Sequence, residues 1–499
     1  MHQSYEVGTA PTGHKLNKHA LVIFAGVIFV ATRWSWLFRG AIPFIDHRVL
    51  SLIVGCITAI IAMCYCPNRI RIAVLALSIV FVGASGSKEA WRQVNSATLG
   101  SYRGPATVRA DPEPFFAGQR VVLEIEGKRY EATAFGSLGR RLRQRLMGEI
   151  VLVEGTRSNL RPDRIKWVAP HHVVGTISLT SVSEQWSFGS PLYRSANRVR
   201  QLLAHSAEVM PDSEASLYLG LVIGDDRNQP EAMRNAFRSA GLSHLVAVSG
   251  QNVAFMLIAL SPLLRRLRTW WRFVATVVAL GWFVLLTRIE PSVIRAAAMA
   301  GLAAFGFARG LKVSPQNLLA GSVIALVFFD PMLVWSIGFQ MSVGATAGLI
   351  AITPLLLSQF GQMGVPQWFA LPLSVTLGAQ LGVMPIGLAV FHSAPIIGIV
   401  ANLLAVPVAG FVMLAGLPLG LLSAVLPHQL LSFVLWPILV AVRWVWWVAV
   451  MAQRVSPHGM ANLFGWISVT GIGLMRWRRI RRQRRSVHRH DRVEPWLST

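Results

Sequence analysis

His244, Ser249, Gln251 and Asn252 fall within one stretch, "GLSHLVAVSGQNVAF" (241–255), whose remaining residues are nearly all apolar. A serine with a histidine invites nucleophilic chemistry, the imidazole taking the hydroxyl proton. On one regular helix, however, positions 244 and 249 diverge by about 140°, so those two side chains do not pair. No orienting acid or oxyanion site stands out, which leaves an intramembrane hydrolase the least favoured reading. The alternative chemistry is lining: hydroxyls, amides and an imidazole facing a polar path. Side chains of this kind at membrane depth are functional candidates because lipid contact is costly for them. Gly250 marks a break in the helix, which a membrane tolerates only against protein or a water-filled cavity.

Further polar groups recur downstream in apolar surroundings. "TRIEPSVIRAAAMAG" carries Arg288, Glu290 and Arg295, and later segments add Gln316, Asn317, Asp330, Gln340 and Asn402. Singly, an amide in a span is often interhelical hydrogen bonding. Together they suggest a polar lumen, and the lining set expected is His244, Ser249, Gln251, Asn252, Arg295, Gln340 and Asn402. Cys56, Cys64 and Cys66 fall in or beside one apolar run, which suits neither a disulfide framework nor a zinc site. No metal and no cofactor is expected.

The elements that position these residues are membrane helices. The 499 residues are 53% hydrophobic and only 14% charged, with mean hydropathy +0.51, too apolar for a soluble protein. Apolar runs of roughly 17–22 residues recur, each enough to cross about 30 Å of hydrocarbon. They predict spans at 20–38, 48–66, 70–86, 243–264, 270–287, 292–308, 317–335, 337–357, 369–390, 394–415, 430–450 and 460–475. Residues 416–427 read as re-entrant or interfacial. No cleavable signal is evident, because the first apolar run leads into "ATRWSW".

Residues 87–186 differ in kind. "GPATVRA", "RVVLEIEG", "RYEATAF", "EIVLVEG" and "IKWVAP" read as short strands between turn residues. In "RVVLEI", Val121, Leu123 and Ile125 face one way, the period of a half-buried strand. The fold class expected is a polytopic α-helical membrane protein of about 12 transmembrane helices with an inserted, OB-like β-barrel. Its parts are a three-helix membrane segment (1–86), an extracytoplasmic barrel (87–186), interfacial amphipathic helices (187–240), a channel domain (241–475) and a basic cytoplasmic tail (476–499).

The formal charge of +25 divides between topology and a polyanionic partner. "RRLRTWWR", Arg309, Lys312 and the tail "RWRRIRRQRRSVHRH" all land inside if 243–264 runs inward, and the tail then meets anionic lipid. The barrel's "GRRLRQR" offers Arg140, Arg141, Arg143 and Arg145 to DNA, or else a solvated face. Tyr102, Tyr130, Phe135 and Trp167 are stacking candidates, with barrel core as their ordinary use.

"GDDRNQPEAMRNAFRSAGLSHLVAVSGQNV", "PSVIRAAAMAGL", "NLLAGSVIALVFFDPMLVWSIGFQMSVGATAGL" and "IVANLLAVPVAGF" stand in this order. They resemble the ComEC family of competence proteins, inner-membrane channels for transforming DNA, over roughly residues 190–430. The resemblance implies a multi-pass component of the bacterial inner membrane that passes single-stranded DNA to the cytoplasm during natural transformation, and not an enzyme. It implies as partners single-stranded DNA, membrane lipid, a DNA-receptor protein and a separate nuclease or helicase, and it is compatible with an oligomer. Transport of another anionic or polar solute is the alternative. Two departures stand out. The family's block ends in Ser-Gly-Leu-His where this chain has Ser249-Gly250-Gln251-Asn252. The metallo-β-lactamase-like domain of many members is expected to be missing, since no His-x-His-x-Asp-His cluster occurs.

Overall fold

The computed structural model describes residues 20–33, 68–246, 249–392 and 395–457, together with 462, 465 and 466. The expected span at 48–66, the cysteines, most of the span at 460–475 and the arginine tail lie outside these residues. The chain divides into two compact units. The first comprises residues 1–91 and 314–331. Its helix α1 (Ala20–Arg33) packs on the helix Pro315–Phe329, and Gly83 of α2 (Asn68–Val94) approaches α1 closely. A Cβ on Gly83 would lie 2.8 Å from the Thr32 hydroxyl.

The second unit holds the barrel and the remaining helices. Five strands, β1 (Gly100–Phe115), β2 (Gly118–Ile125), β3 (Lys128–Phe135), β4 (Ile150–Asn159) and β5 (Val173–Ser187), close in the order β1-β2-β3-β5-β4. The β3–β5 pair is parallel and the others antiparallel. Helix α3 (Gly136–Arg143) bridges β3 and β4 and plugs the barrel with its buried Leu142. Val121, Leu123 and Ile125 point inward as their alternation requires. Two details differ from the sequence reading. Residues 87–94 finish α2 instead of opening the barrel. "IKWVAP" is not a strand: Ile165–Val168 belong to α4 (Pro162–Val168), where Pro162 and Asp163 favour a helical first turn, and Val173–Ser187 supplies the fifth strand.

After the barrel come α5 (Pro191–Ala207), α6 (Asp212–Ile223), α7 (Glu231–Ser239), α8 (Ser243–Val246) and α9 (Gly250–Leu264). They are followed by α10 (Thr269–Leu286), α11 (Pro291–Ala308) and α12, the Pro315–Phe329 helix of the first unit. The last are α13 (Ile337–Ala351), α14 (Thr353–Gln362), α15 (Gln367–Phe391), α16 (Gly398–Leu421) and α17 (His428–Val455). Helix α7 follows Pro230, and Gly241 beyond its end takes φ +70°, the asymmetry its sequence announces. Helices α5 and α7 keep one wet face, whereas α6 is enclosed from Ser216 to Ile223, its Tyr218 hydroxyl donating to Gly416 O at 2.8 Å. One core joins α5–α7 with α9–α11, α16 and α17.

Six helical segments are long and apolar enough to cross a membrane, beginning at Thr269, Pro291, Ile337, Gln367, Gly398 and His428. Leu21–Arg33, Gly250–Leu264 and Pro315–Phe329 are shorter apolar helices. The described residues therefore carry fewer membrane-length helices than the expected twelve or so. Residues 416–421, expected to be re-entrant, continue α16 without interruption despite Pro418.

Helices α13 and α15 pack through glycines. A Cβ on Gly344 would lie 2.7 Å from Gly382 O, and one on Gly348 would strike Gly378 O. Small residues at such contacts let backbones approach where no hydrophobic effect drives association. Gly348→Val should cost about 1–3 kcal/mol of overpacking. Its expected signature is a lower thermal midpoint in detergent, while Gly301→Ala, where a Cβ meets nothing within 4 Å, leaves that midpoint unchanged or raised.

Candidate functional site

The helix break expected near Ser249-Gly250 is present. Helix α8 ends at Val246 and α9 begins at Gly250, with Ser249 as N-cap at φ −109°, ψ 162°. The Ser249 hydroxyl accepts the Gln251 N–H at 3.3 Å and donates to Asn252 Oδ1 at 3.2 Å. This is helix-capping geometry, without the imidazole bond of an activated nucleophile. Asn252, only 4% exposed, donates through Nδ2 to Leu221 O at 3.0 Å, one of the carbonyls left over at the end of α6. The broken helix is thereby tied to α6.

The other lining candidates separate by what they touch. Gln340 donates to Val334 O at 2.8 Å and Asn402 to Gly398 O at 2.6 Å, both serving nearby backbone. His244 and Gln251 are exposed. Arg295, one turn into α11, is 6% exposed and approaches Gly250 while its Nε donates to Ser342 Oγ at 2.7 Å. The structure thus brings Ser249, Gly250, Asn252 and Arg295 into one neighbourhood, while Gln340 serves the turn before α13 and Asn402 the first turn of α16.

A second polar centre was not recognised from sequence. Asp111, on β1, is buried where the barrel meets the helices. Its Oδ1 accepts the Met147 N–H at 2.7 Å, and its Oδ2 accepts from Arg288 Nε at 2.7 Å. Arg200 and Arg227 approach the same oxygen at 3.4 and 3.8 Å. Asp225 takes a bidentate pair from Arg227 at 2.7 and 2.6 Å and a contact from Arg200 at 2.8 Å. Arg200 also donates to Leu286 O and Ile223 O at 3.1 and 3.4 Å, placing positive charge at two helix C-termini. Burial alone would raise the Asp111 carboxyl, but Arg288, Arg200 and Arg227 outweigh it and hold it below the usual carboxylate range. The available signals were the charges of "GDDR" and "TRIE" bordering apolar helices.

This centre fixes a strained turn. Arg288 and Ile289 take φ 63° and 62°, left-handed values that cost non-glycine residues roughly 1–3 kcal/mol each. The Arg288 bonds to Asp111 and, at 2.8 Å, to Asn197 Oδ1 hold it in place. Glu290 follows as N-cap of α11. Its side chain reaches solvent, yet enclosure by protein, and then the charges of Asp226 and Glu113, push its carboxyl up to about 7.

On the barrel, the four arginines of "GRRLRQR" divide. Arg140 and Arg143 are exposed. Arg141 donates to Val182 O and Glu184 at 2.8 and 2.7 Å, and Arg145 lies 4.5 Å over the Trp186 ring. Tyr130 is core, its hydroxyl donating to Thr98 O at 3.1 Å, and Tyr102 donates to Pro105 O at 2.7 Å. Phe135 and Trp167 are exposed, as is Phe116, at 92% the most open aromatic of the barrel and one the sequence did not single out.

Membrane-length helices, a closed barrel pinned to them by buried ion pairs and a polar helix break define a membrane protein with an inserted barrel domain. The family model described as Competence protein matches residues 221–481, and the chain belongs to that family. ComE operon protein 3 of Bacillus subtilis (strain 168) is 27% identical over 266 residues, 52% of this chain and 33% of that relative. Competence protein ComA of Neisseria gonorrhoeae is 29% identical over 223 residues, 42% of this chain and 30% of the relative. The uncharacterized protein YcaI of Escherichia coli (strain K12) is 24% identical over 234 residues, 43% of this chain and 30% of its own length. The matched region thus spans about a third of each relative's length. No solved structure matches the chain.

Two outcomes follow from the polar centre. Asp111→Ala strands Arg288 without its carboxylate and should cost about 3–5 kcal/mol, the penalty for breaking a buried pair. A double-mutant cycle with Arg288→Ala, read by chemical denaturation of the full chain, should be strongly non-additive. For Glu290, a folded-state value near 7 against an ordinary 4.5 means that ionisation disfavours the fold. The stability held by its protonated form is complete below 4.5 and lost as pH rises through 7. Glu290→Gln should therefore raise the thermal midpoint at pH 8, an advantage that shrinks toward pH 5.

Proposed function

We propose that this chain acts in DNA uptake for natural transformation, as the inner-membrane channel component that passes single-stranded DNA to the cytoplasm. The observation that carries the reading is the match of the competence family over the region containing the helix break and Arg295. Two of the relatives are named as competence or ComE operon proteins. The architecture supports it physically. Asp111 holds the barrel at the end of the bundle where α11 begins, the side that charge distribution makes extracytoplasmic. Exposed Arg140 and Arg143, with Phe116, Phe135 and Trp167, offer phosphate contacts and stacking faces outside the membrane. His244, Ser249, Gln251 and Arg295 line the path, and Asn252, Gln340 and Asn402 hold the surrounding helices. Membrane lipid, a DNA receptor and a separate nuclease or helicase complete the working set.

In transformable cells, Gln251→Leu should abolish uptake at normal protein level, with Ser249→Ala milder because a capping hydroxyl is one contact among several. Loss with Ser249→Ala and indifference to Gln251→Leu would instead favour a hydrolase. With the purified full chain in nanodiscs, Arg140→Ala/Arg143→Ala should weaken oligothymidylate binding. It should also flatten the dependence on log salt by about 1.4, since each phosphate contact to a single strand contributes about 0.7. Equal binding by wild type and this variant at every salt concentration would remove the barrel arginines from the DNA path.

A further inference from the structure

Strand β5 ends in an exposed aromatic pair. Trp186 and Phe188 meet edge to face, their ring centroids 4.6 Å apart, and Phe188 is 53% exposed. Gly189 fixes the turn that follows: it takes φ +64° and lies so close to Gly148 that a Cβ would strike the Gly148 carbonyl. Arg145 lies 4.5 Å over the Trp186 ring and Arg194 5.2 Å over that of Phe188, so both rings are held in place. Leu192, in the first turn of α5, is 61% exposed. Large apolar side chains that are ordered and yet left open mark a contact surface.

What covers them follows from where α5 is tied. The Trp282 indole N–H donates to Ser195 Oγ at 3.1 Å, and that hydroxyl donates to Leu192 O at 2.7 Å. Trp282 stands one turn before the Leu286 end of α10, a helix long and apolar enough to cross a membrane. Just past the same end, Arg288 donates to Asn197 Oδ1 at 2.8 Å. The first turns of α5 therefore lie at the level where α10 leaves the hydrocarbon, the level at which tryptophan gathers in membrane proteins. Leu192 and Ser195, three residues apart, share one side of α5. Arg194 and Arg198, one turn apart and both exposed, add positive charge. Aromatic rings and a leucine beside arginines at the end of a span match the bilayer interface, which is apolar below its headgroups and anionic at them.

We propose that Trp186, Phe188 and Leu192, with Arg194, bind the phospholipid surface at this end of the bundle. The apolar side chains enter between headgroups, and the Arg194 guanidinium, stacked on the Phe188 ring, meets lipid phosphate through its edge. The barrel is then held at two places, by Asp111 on the helices and by the end of β5 on lipid. This contact does not depend on the uptake reading, since it concerns the bilayer and not the solute that crosses it.

The test uses the full chain in phosphatidylcholine nanodiscs, with Cys56, Cys64 and Cys66 replaced by serine. A bimane label goes on Ser190→Cys, an exposed position between Phe188 and Leu192 whose side chain makes no cap hydrogen bond. Brominated phosphatidylcholine should quench the label and aqueous iodide should not. Phe188→Ala/Leu192→Ala should reverse that pattern at an unchanged thermal midpoint, because both side chains are more than half exposed. In phosphatidylglycerol the lipid quenching should strengthen, a gain that Arg194→Gln should abolish. Quenching by iodide but not by brominated lipid in the unsubstituted chain overturns the proposal. So does lipid quenching that persists in Phe188→Ala/Leu192→Ala, which would make the label's nearness to lipid no work of these side chains. Protection from iodide that appears only when oligothymidylate is added would give the surface to nucleic acid and likewise overturn it. A phosphatidylglycerol gain that survives Arg194→Gln removes the arginine from the contact.

Discussion

Asp111 carries a carboxylate out of water, and three guanidiniums from separate parts of the chain converge on it. Arg200 comes from α5, Arg227 from the loop after α6 and Arg288 from the turn between α10 and α11. Desolvating such groups costs several kcal/mol each, which only close pairing returns. The cluster is therefore weak evidence for added stability and strong evidence for a specified position. The barrel can dock on the helices only where all these charges meet. The left-handed turn at Arg288 and Ile289 follows from the same bonds, and so does the start of α11, which sets where Glu290 and Arg295 stand.

Within the bundle, polar side chains fall into two uses. Asn252, Gln340 and Asn402 complete backbone carbonyls that lipid would leave unsatisfied. Their presence in apolar segments is thus a consequence of breaking and turning helices at membrane depth. Arg295 belongs to the other use, since its neutral neighbours satisfy its hydrogen bonds only in part and leave its charge unbalanced. The glycines of α13 and α15 have a third role, allowing a backbone contact that larger residues would prevent.

Much of the fold was legible because it follows from local periodicity and punctuation. The alternation at 120–125 placed Val121, Leu123 and Ile125 in the barrel core, and Gly250 with Ser249 announced a helix restart that the structure places at Gly250. Where local signals compete, the reading slipped. "IKWVAP" has strand-forming residues but is governed by Pro162 and Asp163 as a helix start, and Pro418 did not interrupt α16. The seven residues gathered as lining candidates share one chemistry, polar in apolar surroundings, and sequence offers no means of separating a side chain that serves a carbonyl from one that faces open space.

By itself, then, the sequence determined a helical membrane protein with an inserted barrel, the place of its helix break, and a membership in the competence family carried by an ordered set of blocks. These depend on hydropathy, spacing and residue type, which are local properties of the chain. Only the tertiary structure decided that Asp111 meets Arg288, 177 positions away, that two of four barrel arginines are spent on the barrel itself, and that Arg295 faces Gly250 without a carboxylate. The reason is physical: a charge's effect depends on what lies within a few ångströms of it, and distance in space is what sequence spacing does not encode.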